Sequence, residues 1–162
     1  MKTMLIGAAI LIGGLALISW GRVNQAIAPA QINSKSSLVA QGVLYDFGTI
    51  SMKNGNVTKE FSVTNPTNQD ITVKTVLTSC MCTVAFIVKS DGSAKGPFGM
   101  AGMGYVPPAN EVIKAGESRV IRVVYDPNAH GPAGVGQIDR FVSLTDSSGG
   151  TLELEIKALV TP

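Results

Sequence analysis

The C-terminal residues set the tightest limit on the fold. Leu152, Leu154, Ile156 and Val160 fall on one side of an extended chain, with Glu153, Glu155 and Lys157 on the other. A helix repeats its faces about every 3.6 residues and cannot sort this pattern, whereas a strand with one face on a core and one in water sorts it fully. Shorter stretches of the same kind precede it. Gly42 to Phe47 is a short apolar strand, Val57 to Thr64 puts Val57, Phe61 and Val63 on one face, and Ile71 to Thr78 does so with Ile71, Val73 and Leu77. Thr83 to Val88 is a nearly continuous apolar run, Ser118 to Tyr125 is rich in β-branched residues, and Ile138 to Thr145 completes the set.

Turn chemistry separates these stretches. Lys53-Asn54-Gly55-Asn56, Asn65-Pro66-Thr67-Asn68 and Ser147-Ser148-Gly149-Gly150 are turn clusters, and Asp126 to Gly136 is a Gly/Pro loop. Ser90 to Ala115 breaks the rhythm and contains Gly99-Met100-Ala101-Gly102-Met103-Gly104. No helical pattern follows residue 41. The predicted fold is all-β, an immunoglobulin-like antiparallel β-sandwich of about seven strands over residues 42–162.

One N-terminal hydrophobic helix is expected ahead of it. Met4 to Trp20 carries no charge and has Ser19 as its only polar residue, with Lys2 before it and Arg22 after it. As a helix it spans roughly 25 Å, close to a hydrocarbon core of ~30 Å. Residues 1–22 therefore read as a signal-anchor or as a signal peptide cut after Ala28-Pro29-Ala30. Both readings put the domain on the extracytoplasmic side of a cell envelope, membrane-anchored in the first and secreted in the second. Residues 23–41, polar and rich in small side chains, read as a flexible linker.

Charge removes one class of partner. From Gly42 onward there are ten basic and eleven acidic residues, too balanced for a basic face that tracks phosphates. Catalysis finds little support either. A Ser-His-Asp arrangement would have to pass through His130, the single histidine, and neither a nucleophile elbow nor a phosphate-cradling loop occurs. The expectation is a protein that is not an enzyme.

Tyr45-Asp46-Phe47-Gly48-Thr49-Ile50, Phe61-x-Val63-x-Asn65, Thr78-Ser79-Cys80-Met81-Cys82-Thr83 and Ala115-Gly116-Glu117, in that order, resemble a bacterial exported family, the domain of unknown function numbered 1573. That family is similar to the immunoglobulin-like domains of Hydin. The resemblance covers about residues 42 to 160 and implies an exported or membrane-anchored immunoglobulin-like sandwich without an established activity. Met81 stands where the family usually has glycine, and Ser90 to Pro108 is longer than usual.

Cys80 and Cys82 are the only cysteines. On an extended strand their Cβ atoms would lie ~6.5–7 Å apart, against the ~3.5–4.5 Å of a disulfide, so an internal bond demands a sharp local turn. Three readings stand side by side. The pair is two small apolar side chains under the sandwich edge. It is a soft-metal site, with Cu(I) the best match to sulfur ligands and Zn(II) next. Or it is redox-active or bonded between molecules. In a sandwich of this order the cysteine connection and the loop holding His130 emerge at the same end, which makes Cys80, Cys82 and His130 a candidate ligand set. A solvated loop histidine is the plain alternative. Met100 and Met103 start from the opposite end, so their loop would have to fold back to contribute. The functional expectation is a membrane-tethered interaction or scaffold module with a protein partner, and the alternative is an exported copper-binding protein.

Overall fold

The computed structural model describes residues 34–162. The expected N-terminal helix, its cleavage and most of the linker lie outside the described residues. Among the described residues no helix is long and apolar enough to cross a membrane.

The described residues form ten strands: β1 (Val39–Ala40), β2 (Leu44–Ser51), β3 (Val57–Thr64), β4 (Ile71–Thr78), β5 (Thr83–Val88), β6 (Ala94–Phe98), β7 (Glu111–Ile113), β8 (Ser118–Tyr125), β9 (Gly136–Asp146) and β10 (Thr151–Thr161). They build two five-stranded sheets, one in the order β1-β3-β8-β5-β6 and the other in the order β2-β10-β9-β4-β7. Alternation drives this arrangement. Leu152, Leu154, Ile156, Ala158 and Val160 of β10 are buried, as are Phe61 and Val63 of β3 and Ile121, Val123 and Tyr125 of β8. Together with Val142 and Leu144 of β9 they fill a single core between the sheets.

The all-β expectation therefore holds, with corrections of detail. Ten strands replace about seven, partly because the Gly/Pro segment after Ser90 supplies two: β6 adds to the edge of β5 and β7 to the edge of β4. Phe98 anchors β6 in the core. At Gly96 (φ 133°) a Cβ would sit 2.9 Å from the Ala85 carbonyl oxygen, so only glycine lets the edge approach. The sandwich is also not wholly antiparallel, because β2 lies parallel to β10. A parallel neighbour needs a crossover, and here almost the whole domain is that crossover. In β4 the buried residues are Val73, Val76 and Thr78 rather than Ile71, Val73 and Leu77. The ladder to β9 slips between Val73 and Thr75, and the bulge moves every later side chain to the other face.

The expected domain start at residue 42 also moves. Leu38 is buried in the core and β1 pairs with β3, so the last linker residues belong to the sandwich. Ser36 holds this segment on the other sheet. Its N–H donates to the Thr151 carbonyl at 3.1 Å and its hydroxyl donates to Asp146 Oδ2 at 2.5 Å. A Cβ on Gly150 would meet the Ser36 Cα at 2.8 Å, so the segment lies directly against that turn.

Asn65 joins the sheets at the turn before β4. Fully buried, it donates through Nδ2 to the carbonyls of Gln69 (2.7 Å) and Ile113 (2.9 Å). Its Oδ1 accepts from the Thr67 N–H (3.0 Å) and hydroxyl (2.7 Å). Its own N–H and C=O engage Glu117 and Gly116, both at 2.9 Å. Asn65→Ala strands two carbonyls and is expected to cost about 2 kcal/mol or more, read from the urea midpoint.

Burial pushes the Asp146 carboxyl up, but hydrogen bonds from Ser148 and Ser36 outweigh it and hold the group below its ordinary value. A depressed native value stabilises the fold above the unfolded pKa, and that contribution is lost as the pH falls through the native one. Stability is therefore expected to be level from neutral pH to about pH 5 and to fall below about pH 4. Asp146→Asn should flatten that fall in pH-resolved denaturation. A residual slope will remain from Asp91, held low by Ser93, and Glu155, held low by Lys157.

Candidate functional site

β4 ends in one sheet at Thr78 and β5 begins in the other at Thr83, so Ser79 to Cys82 must carry the chain across the end of the sandwich. The crossing is tightly held. Thr83 N–H donates to the Cys80 carbonyl at 3.1 Å and closes a turn. The Thr78 hydroxyl is shared between the carbonyls of Cys80 and Thr83, each at 3.0 Å. Ser79 is paired with Phe141 of β9 twice, through its N–H at 3.0 Å and its hydroxyl oxygen at 2.9 Å. The Cys82 carbonyl accepts from Asp126 N–H at 2.8 Å.

This turn brings the Cys80 and Cys82 Cα atoms to 5.2 Å, and the two sulfurs are bonded. The condition that an internal bond demands a sharp turn is met. Two of the sequence readings are thereby corrected in part. The cysteines are not a pair of free apolar thiols, although Cys82 is buried, and their bond is within the chain rather than between molecules. Cys80 is only partly buried and Met81 stands exposed at the tip.

Two nitrogens flank the bond, one on each sulfur. His130 Nε2, in the connection between β8 and β9, lies 3.2 Å from Cys80 Sγ. Arg140 Nε–H, from β9, donates to Cys82 Sγ at 3.2 Å. The convergence of Cys80, Cys82 and His130 anticipated from topology is present, with the ligand atoms all within 4.8 Å of one another. The histidine is exposed and at the same time in contact with sulfur. Met100 also reaches this end. Its backbone forms a parallel bridge with Thr78, and Gly99 C=O accepts from Thr78 N–H at 3.1 Å, so the long loop does fold back. Met103 stays exposed.

Arg140 is the site residue that sequence reasoning missed, although a signal was there. Ile138, Val142 and Leu144 face the core, and residue 140 has the same phase. Opposite it on β10 stands the buried Ile156. A charged residue in an apolar phase asks for a reason. Its charge is felt nearby: burial pushes the Tyr125 hydroxyl up, and Arg140 partly opposes that shift.

The disulfide closes a very short loop, since the cysteines are two residues apart. Chain-entropy reasoning gives such a loop only about 1.5 kcal/mol. Reduction is therefore expected to lower the urea midpoint modestly and to leave the β-sheet circular dichroism spectrum intact.

Residues 38–96 match the model of a family described as a protein of unknown function, DUF1573, which is the family the motifs resemble. The match takes in Asn65 and the cysteine turn and stops short of His130 and Arg140. No curated protein matches the chain. Among solved structures, a protein of unknown function from Porphyromonas gingivalis W83 is similar with a TM-score of 0.56 and 13% identity, over 83% of this chain and 51% of that one. The chain thus spans about half the length of that protein. The secreted serine protease VesC from Vibrio cholerae aligns with a TM-score of 0.48 and 16% identity, over 82% of this chain and 25% of that one. The ASH/PapD-like domain 7 of human CEP192 aligns with a TM-score of 0.48 and 11% identity, over 86% of this chain and 95% of that one. At 13% identity the likeness to the Porphyromonas gingivalis protein is one of fold alone.

Proposed function

We propose that the chain is a non-enzymatic, membrane-tethered, extracytoplasmic module of immunoglobulin-like type that binds a protein partner along the free edge of β2. The observation that carries this is the edge itself. β2 is eight residues long, ends its sheet, and leaves one row of backbone N–H and C=O groups without a neighbouring strand among the described residues. Such a row accepts an added strand. Around it Val43, Leu44 and Tyr45 are exposed at one end, and Leu159 of β10 is exposed toward the other, opposite Thr49. Tyr45 is braced by Phe47, edge to face at 5.0 Å, and by Lys59 Nζ at 4.1 Å from its ring centroid. The occupant that suits this edge is an extended segment of another polypeptide, whose backbone supplies hydrogen bonds and whose side chains lie beside Val43, Leu44 and Tyr45. The tether rests on the apolar stretch from Met4 to Trp20. The extracytoplasmic side is supported by that stretch and by the Cys80–Cys82 bond, since such bonds persist in oxidising compartments.

A photo-crosslinking residue placed at Leu44 in cells is expected to give a discrete protein adduct, and one placed at the exposed turn residue Asn68 is not. Adducts at neither position, or equally at both, would remove the edge from consideration.

One observation favours a second reading, soft-metal binding: both Sγ atoms and a ring nitrogen lie within 4.8 Å of one another. Sulfurs bonded to each other are not thiolates, so this site exists only after two-electron reduction of the pair. One-to-one Cu(I) or Zn(II) binding by the reduced full chain, lost in Cys80→Ser and in Cys82→Ser, is the result this reading requires. Native mass spectrometry reads it directly.

A further inference from the structure

We infer that Cys80–Cys82 is a thiol–disulfide exchange site with a built-in order of events, in which an incoming thiolate attacks Cys80 and Cys82 departs toward Arg140. This goes beyond the edge-strand reading and does not depend on it, and it gives the module a redox chemistry in place of the non-enzymatic part of that reading.

Three observations carry the inference. The first is asymmetry of access. Cys82 is 2% exposed, whereas Cys80 is partly open and sits beside the exposed His130. Of the two, Cys80 is therefore the cysteine that a thiolate from solvent can approach. The second is Arg140. No carboxylate pairs with it among the described residues, and its hydrogen bonds go to the Asp139 carbonyl and to Cys82 Sγ. A guanidinium held in the inward phase against a neutral disulfide sulfur gains little. Against a thiolate at the same atom it gains a charge-assisted hydrogen bond. The surroundings of Cys82 are thus suited to the anion that forms when the bond opens, and the Thr83 hydroxyl, 3.7 Å from Sγ, is a second donor on the same sulfur. The third is His130, whose Nε2 lies 3.2 Å from Cys80 Sγ with the ring open to water, so the approach to Cys80 is polar and hydrated.

The chemistry balances with a dithiol as the co-reactant. One of its thiolates attacks Cys80 Sγ. A new sulfur–sulfur bond forms, the Cys80–Cys82 bond breaks, and the electron pair leaves on Cys82 Sγ, facing Arg140. The second thiolate of the dithiol then attacks its own partner sulfur in the mixed disulfide. Cys80 leaves with the electron pair and takes a proton from water. Two electrons have moved: the dithiol is oxidised to a disulfide, and the cysteine pair is reduced. Run backwards, the reduced pair reduces a disulfide substrate. The reduced product is also the form that soft-metal binding would need.

The test uses the oxidised full chain. A brief reaction with glutathione, acid quench and peptide mass spectrometry locates the mixed disulfide, which is expected on Cys80. In a time course with dithiothreitol, Arg140→Gln is expected to slow reduction about tenfold or more, since a hydrogen bond to a charged group is worth that much. Arg140→Lys should recover part of the rate. A glutathione adduct on Cys82 would overturn the inference without need of any variant. So would parental reduction rates in Arg140→Gln.

Discussion

A buried asparagine with no polar atom left over holds the two sheets in register with each other. Asn65 closes its own turn through Thr67 and Gln69 and reaches across to the carbonyl of Ile113, at the end of β7 in the opposite sheet. Its backbone meanwhile pairs with Gly116 and Glu117, where the chain turns back into β8. Hydrophobic burial alone would let two faces slide over one another, because it has no direction. Directed bonds from a desolvated amide do not allow sliding. The placement of β4 follows from this, and the cysteine turn at the far end of β4 inherits its position.

Most of the architecture was legible because it rests on period two. β10 and β3 needed nothing beyond apolar and polar alternation, and their buried faces are those expected. What escaped was whatever breaks the period or lies outside it. One extra residue at Lys74 exchanged the faces of the second half of β4, and no local signal marks a bulge in a β-branched run. β6 carries Gly96 and Pro97, which argue against a central strand, yet an edge tolerates both because Phe98 anchors it. The short β1 is visible only through Leu38, which is inconspicuous in a polar stretch.

The candidate site divides along the same line. That Cys80, Cys82 and His130 share one end of the domain follows from connectivity, which alternation already implies. That the cysteines are bonded does not follow, because it depends on how Thr78, Ser79 and Thr83 bend four residues between sheets. Arg140 lay between. Its phase along β9 is readable, but which sulfur it meets is set by the register of β9 against β4, where Thr78 pairs with Val142.

The segment from Ser34 to Ala40 bridges both sheets on slender means. It is held by a backbone exchange with Thr151, the Ser36–Asp146 contact, the Leu38 side chain and a two-residue ladder to β3. A pull on the chain from its N-terminal side would be borne first by these few bonds and not by the long ladders behind them. The segment would peel off bond by bond and uncover the outer edge of β3 while the rest of the sandwich stayed closed. Mechanically, the domain carries a weak link in series with a strong body, and tension would switch the accessibility of one sheet edge before it threatened the fold.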